Sequence, residues 1–412
     1  MNILVIGNGF DLEHGLPTKY GNFLDFIKGI LSISKEEYID CKDKFREEKL
    51  DNVEDTIKQY LLSDEVFNDW KENNVLKELI TLSKDNIWIT YFSEDQNYRE
   101  KGWIDFESEI CNVIMSLDYM KKYRINELNA GRVNEMNCNQ IKLKLESKIC
   151  DLIVYAIRNK ERNFTTEGGM LDIKNTSLNN YEYSEKIIKR LNTHLNDLIR
   201  CLEIYLEEFI RKIDKEYISP DIKDIKFDKV LSFNYTNTYE RIYGFNSSDI
   251  EYHYIHGKAD ISRVSDENNM VLGIDEYLGK KAKNKELEFI AFKKYFQRIY
   301  KKTGNEYKKW IKKMENNNQS YIDSLKGVTS ASKNKICIFG HSLDITDKDI
   351  IKELIECPNT ETTIFYYNKY VYAQQITNMV KIIGQDELIK RVSGANPTII
   401  FKQQQKRIRS QE

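Results

Sequence analysis

The sequence predicts an α/β fold: a mainly parallel sheet flanked by helices, with a large, mostly helical insertion after the first strand–helix unit. Three observations lead there. An apolar run at residues 3–6 passes directly into Gly7-Asn8-Gly9, a long middle stretch carries apolar residues at three- and four-residue intervals, and after Pro220 short β-branched and aromatic runs return between helical stretches. Strands alternating with helices form a sheet covered on both faces.

Taken in order, residues 2–6 (NILVI) read as a buried strand that the glycine turn ends. Leu12, Leu16, Phe23, Leu24, Phe26 and Ile27 continue as helical positions, broken at Gly15 and Pro17. Helices are then expected over 66–80, 106–117, 141–157 and 187–213, the last carrying one stripe from Ile187 through Leu191, Leu195, Leu198 and Leu202 to Ile213. The polar segment 161–180, with its Gly-Gly pair, predicts a loop or a disordered stretch. Strands follow at 229–235, 251–256, 271–274, 335–339, 362–367 and 398–401, and helices at 348–357 and 373–390. The first strand is expected to be central. These elements suggest a nucleotide-binding-like α/β domain from 1–30 and 226–412 and a helical subdomain at 31–225, with 280–330 a candidate second helical insertion.

Composition narrows the function. With 63 basic and 65 acidic residues there is no global field to attract nucleic acid or an anionic membrane. Seven cysteines stand singly with no CxxC pair, which argues against a disulfide framework or a four-cysteine zinc site and for a reducing, cytoplasmic setting. The N-terminal apolar run is too short for a signal peptide, and no stretch approaches the roughly 18 apolar residues of a membrane span. Only five histidines are available for imidazole chemistry: 14, 194, 253, 256 and 341.

Four polar turns stand at predicted strand ends. Gly7-Asn8-Gly9-Phe10-Asp11 sets two glycines between a strand and a helix, where backbone can approach a phosphate or simply turn tightly; Leu12 stands where a GxGxxG fingerprint needs glycine. Asp11 would repel phosphate and suits a ribose hydroxyl or a helix cap better. Asn234 and Thr236 lie in SFNYT, and His256-Gly257 ends the next strand, where an imidazole with a reference pKa of about 6.5 suits a general base. His253 is read as a core-edge histidine bonded to a carbonyl. Gly340-His341-Ser342 forms a second glycine turn, followed by Asp344 and Asp347. Asp105 and Glu107 in WIDFE are either a carboxylate pair or the acidic start of a helix. Lys293 and Gln297 share a helix face that could touch an anionic ligand but reads rather as solvated.

In this order the blocks GNGFDLEHGLPTKYGNFL (7–24), WIDFE (103–107), LSFNYTNTYE (231–240), YIHG (254–257) and IFGHSLDITDKDI (338–350) resemble the AbiH family of bacterial phage abortive-infection proteins. That family is similar in turn to the sirtuin-like, Rossmann-like NAD-binding fold. Gly7 and Gly9 stand where sirtuins have GAG, Gly15-Leu16-Pro17 where they have GIP, Asn234 at the asparagine of TQN, His256-Gly257 at the catalytic His-Gly and Gly340-His341-Ser342-Leu343 at GTSL. Tyr20 and Thr236 replace an arginine and an aspartate, and the zinc cysteine pairs are missing, which argues against a protein deacylase.

The resemblance implies a cytoplasmic phage-defence effector that hydrolyses NAD to nicotinamide and ADP-ribose without a metal. His256 would be the base, and Asn234 would position water or nicotinamide. Gly7, Asn8, Gly9, Phe10, Asp11, His14, Pro17, Thr236, Gly257, Gly340, His341, Ser342 and Asp347 would line the nucleotide pocket. A phage-derived trigger is implied, and the helical insertion suits oligomerisation or sensing. Two other classes remain: a non-catalytic sensor of NAD or a related nucleotide, and a metal-dependent nuclease drawing on Asp105, Glu107, Asp344 and Asp347.

Overall fold

The computed structural model describes the chain apart from residues 36–41, 103, 130–141, 145–147, 150–151, 153–163, 168–169, 174–179, 215–216, 245–248, 265–266, 280–281, 283–284, 326–332 and 410–412. Two compact units are present, one of residues 1–18, 206–271 and 298–412, the other of 19–205 and 272–297.

The first unit is built on a six-stranded sheet. Its strands are β1 (Asn2–Ile6), β2 (Lys229–Ser232), β3 (Glu251–Tyr254), β4 (Asn334–Phe339), β5 (Thr360–Tyr366) and β6 (Ile399–Gln403). They lie in the order β6-β5-β4-β1-β2-β3, and every pairing is parallel. The first strand is internal, as its near-continuous apolar sequence requires. Alternation along β1 serves both faces. Ile3 and Val5 join a core with Leu231, Ile338, Ile364, Trp310 and Leu354, while Leu4 and Ile6 join another with Phe10, Val230, Phe339 and Phe227. Each such side chain contributes roughly 1.5–3 kcal/mol by leaving water, so a sheet buried on both faces fixes strand register firmly.

The helices of this unit are α1 (Asn8–Glu13), α2 (Thr238–Tyr243), α3 (Glu306–Leu325), α4 (Lys348–Glu356), α5 (Lys369–Ile383) and α6 (Gln385–Ser393). Gly15, with φ of +79°, turns the chain after α1, and Gly384, with φ of +88°, separates α5 from α6 where one helix was expected. A short antiparallel pair, Tyr217–Ile218 with Ile408–Arg409, ties the C-terminal segment down, and Arg407 lies 3.8 Å over the Tyr217 ring.

The second unit is mostly helical. Tyr20–Ile33, Asn74–Ser83, Ile87–Ser93, Phe106–Asn129 and Asn180–Ile204 are its main helices, and the Trp88 indole N–H donates to Leu191 O at 2.9 Å. Side-chain caps start several of them: Asn73 accepts from Val75 and Leu76, and Asn86 from Trp88 and Ile89.

Several expectations need correction. Residues 161–180 are not simply a loop: Phe164–Glu167 and Met170–Ile173 pair antiparallel, and Lys142–Lys144, expected in a helix, joins them. The rest of the expected helix 141–157 lies largely outside the described residues. Residues 271–274 form no strand; Ile274 makes one isolated bridge to Lys293. The expected helix at 66–80 breaks into Asp64–Phe67 and Asn74–Ser83. The face of Lys293 and Gln297 is buried, not solvated: Lys293 is held by Glu276 at 2.9 Å, and Gln297 bonds Leu272 through both N–H and C=O. Apolar periodicity could not reveal this, because long polar side chains enter a core only when a partner elsewhere in the chain satisfies them.

Candidate functional site

The turns after β1 and β4 touch through their backbones. Gly7 N–H donates to Phe339 O at 3.2 Å and Gly9 N–H to Gly340 O at 2.8 Å. A Cβ at Gly7 would stand 2.7 Å from His341 Cα, and one at Gly9 2.8 Å from Gly340 Cα. Gly340 has φ of +68°, and a Cβ there would meet Phe10 N at 2.1 Å. All three glycines are therefore needed for turn-on-turn packing. Asn8 and Ser342 are the exposed residues of the two turns.

Asp11, expected at a ribose, is turned inward and is 1% exposed. Its Oδ2 accepts from Thr236 Oγ1 at 2.7 Å and from Asn234 Nδ2 at 3.1 Å. The same Asn234 nitrogen donates to Gly7 O at 2.9 Å, so one side-chain amide ties the ends of β1 and β2 together. Oδ1 of Asp11 is buried without a hydrogen-bond partner among the described residues. Burial pushes this carboxyl up to about 6, against the lowering pull of Thr238, Thr236, Asn234 and Arg241.

His14 is held by protein on both sides of its ring: Nδ1 lies 2.6 Å from Phe10 O and Nε2 2.7 Å from Tyr243 OH. Tyr243 OH in turn accepts from Ser219 N–H at 2.9 Å. Burial lowers the His14 pKa to about 4, so the ring is neutral and Nδ1 is its donor. Phe10 is core, packed against Phe339, and Pro17 is buried.

His256 lies two residues past the end of β3, and Gly257, with φ of +80°, turns the chain away so closely that a Cβ would lie 2.0 Å from Asn269 O. His256 Nε2 lies 3.2 Å from Asp347 Oδ1. His341 Nε2 lies 3.5 Å from the other oxygen, Oδ2, and His341 Nδ1 accepts from Leu343 N–H at 2.9 Å. Both rings meet the edge of Phe233, with centroids at 5.5 and 4.3 Å. The loop that carries His341 is held by α5, where Gln375 donates to His341 O and Asn378 to Ser342 O. Leu343 has φ of +58°, an uncommon backbone state for a branched residue, and is fully buried.

The carboxyl ends of four neighbouring parallel strands thus bring together Gly7, Gly9, Asp11, Asn234, Thr236, His256, Gly340, His341 and Asp347, with no charged side chain on the strands themselves except at their starts. His253 is bonded to Thr303 O and Tyr307 N, and His194 to Ile87 N, both in ordinary structural roles. Asp105 and Glu107 belong to the second unit. Asp105 accepts from the backbone of Glu107 and Ser108 at the start of Phe106–Asn129, and Glu107 pairs with Lys294 at 2.7 Å; Trp103 lies outside the described residues. Among the described residues no group of three or more His, Cys, Asp or Glu is placed to hold a metal ion. No helix among them is long and apolar enough to cross a membrane.

Phe233, Thr238 and Tyr243 were not singled out from sequence. Their signal was faint: aromatic and hydroxyl residues around SFNYTNT read as ordinary strand-end and helix-start chemistry. A family model described as Bacteriophage abortive infection AbiH matches residues 3–368. No curated protein and no solved structure matches the chain.

Proposed function

The chain belongs to the bacteriophage abortive infection AbiH family, and from that membership we propose that it is a phage-defence effector that hydrolyses NAD to nicotinamide and ADP-ribose. The observation that carries the reading is the convergence of Asn234, His256 and the two glycine turns at the ends of β1 to β4. Numbered along the chain, the sheet has the order 3-2-1-4-5-6, which reverses between β1 and β4. That is the order of Rossmann-like dinucleotide-binding sheets, in which the ligand lies outside the carboxyl ends at the reversal. The second, mostly helical unit is then the insertion carried by the sirtuin-like sheet.

In this mechanism the dinucleotide lies across the exposed Asn8 and Ser342. Asn234, its nitrogen committed to Gly7 and Asp11, offers Oδ1 to the attacking water or the nicotinamide amide. Water oxygen bonds to C1′ of the nicotinamide riboside, the C1′–N bond breaks with its electron pair passing to the pyridinium nitrogen, and His256 takes the water proton. Nicotinamide leaves neutral, so no acid is required. Preorganised groups around the oxocarbenium-like centre are worth more in a dry site than in water.

His256 and His341 are 5% and 4% exposed. This closure supports a resting state that a phage-derived trigger opens in the cytoplasm; it favours equally a sensor that binds the nucleotide without turnover. Purified protein incubated with NAD, with and without phage lysate, separates the two. Chromatographic release of nicotinamide and ADP-ribose is expected, and its absence in both conditions sinks the hydrolase reading. Release that survives in both His256→Ala and Asn234→Ala sinks the site assignment.

A further inference from the structure

This inference rests on the hydrolase reading of the strand ends and deepens it. We propose that Asp347 is a positioning residue: it holds His256 as the Nε2–H tautomer and so makes Nδ1 the nitrogen that takes the water proton, with His341 the second imidazole beside the same carboxylate.

Asp347 occupies the N-cap position of α4 and yet makes no side-chain cap bond there. An aspartate at that position ordinarily accepts from the helix amides. Here its two oxygens face two imidazoles instead, Oδ1 at 3.2 Å from His256 Nε2 and Oδ2 at 3.5 Å from His341 Nε2. The preceding turn is capped by Asp344, which accepts from Thr346 N–H at 2.9 Å. Asp347 is thereby spared for the histidines.

An ionised carboxylate only accepts hydrogen bonds, so each Nε2 that faces it carries the hydrogen. For His341 a second observation agrees independently. Its Nδ1 accepts the backbone N–H of Leu343 at 2.9 Å and must present a lone pair. An imidazolium donates from both nitrogens. Protonating His341 therefore breaks the bond to Leu343, a residue fully buried in the core and held at φ of +58°. The bond from Leu343 thus sets His341 as the Nε2–H tautomer, with that hydrogen on the side of Asp347.

The arrangement divides the labour of the step. His256 Nδ1 accepts the proton as water oxygen bonds to C1′ and the C1′–N electron pair moves onto nicotinamide. The imidazolium formed is balanced by Asp347, which keeps its own charge throughout. His341 Nε2 stands 3.5 Å from Oδ2, on the other oxygen of the same carboxylate. Phe233, edge-on to both rings, fixes their planes.

The test is a long-range proton–nitrogen spectrum of full-length protein labelled with 15N-histidine. With only five histidines, the His256 and His341 signals are assigned from their loss in His256→Gln and His341→Gln. At pH 8 both are expected as Nε2–H tautomers. In Asp347→Asn, His256 is expected to populate Nδ1–H, and kcat for NAD cleavage to fall roughly 10–100-fold with KM little changed; Asp347→Glu is expected to restore part of both. A wild-type His256 in the Nδ1–H form overturns the proposal, and this readout needs no Asp347 variant to fold. Unchanged kcat in Asp347→Asn overturns it while leaving the hydrolase reading intact. The expected tautomers without any NAD cleavage overturn the reaction and leave the tautomer assignment standing.

Discussion

Gly9 donates its backbone N–H to the carbonyl of Gly340 at 2.8 Å, which makes the turns after β1 and β4 one packed unit. The glycines that a sequence reader assigns to ligand approach are consumed by backbone approach of a second turn. The floor at this reversal is closed by protein, and Asn8 and Ser342 are exposed at its rim.

The tightest point of that floor is Gly340. Its φ of +68° and the 2.1 Å approach of a Cβ to Phe10 N leave no flexible side chain to yield. Gly340→Ala is expected to cost about 3 kcal/mol or more. A thermal melt by circular dichroism should fall by several degrees, and an unchanged midpoint would show that the turns do not touch.

Asp11 makes stability fall as pH rises through the mildly acidic range. Its folded pKa of about 6 stands above the ordinary 3.8, so the contribution of this group is fully present below about 3.8 and is lost as pH rises through about 6. The loss is at most roughly 3 kcal/mol by linkage. Asp11→Asn keeps an acceptor for Asn234 and Thr236 and cannot ionise. Urea unfolding at pH 5 and pH 8 should show the variant gaining on wild type at the higher pH; a gap independent of pH contradicts the assignment.

His14 acts in the opposite direction. Its folded pKa of about 4 lies below the ordinary 6.5. The unfolded chain binds the proton first, so stability is present above about 6.5 and declines as pH falls towards 4, by up to about 3 kcal/mol. His14→Gln should flatten that acid limb while lowering stability at neutral pH through the lost Tyr243 bond. An acid limb equal to wild type would place the sensitivity elsewhere.

In the second unit, Glu107 neutralises Lys294, whose side chain is 4% exposed. Glu107→Ala is expected to cost about 3 kcal/mol, because a buried ammonium loses its counter-charge. Asp105→Ala should cost about 1 kcal/mol as a lost helix cap. Magnesium-dependent cleavage of RNA or DNA by wild type, abolished in Asp105→Ala, would instead revive the nuclease reading; chemical denaturation and a nuclease assay on the same preparations decide between them.

Much of the fold was legible because its signals are local. The apolar run of β1 flanked by Gly7, the returning strands after Pro220 and the stripe ending at Ile213 each announce an element through its own periodicity. Failures occurred where the deciding partner lies far along the chain. Lys293 and Gln297 look solvated until Glu276 and the backbone of Leu272 are beside them, and residues 164–167 and 170–173 look like loop until they pair with each other.

The same division runs through the candidate site. Sequence alone determined which polar residues end the strands, because a strand must stop where side chains become polar or glycine bends the chain. It identified Asn234, His256 and the two glycine turns in that way, along with membership of the abortive-infection family. Only the tertiary structure decided what those groups face. Asp11 turns into a dry interior that raises its pKa, His14 is bound on both nitrogens, Gly9 meets Gly340, and Asp347 leaves its helix cap to join two histidines that lie 85 residues apart in the chain. Hydrogen bonding and desolvation depend on which atoms lie within a few ångströms, and that neighbourhood exists only after the sheet has brought distant strand ends side by side.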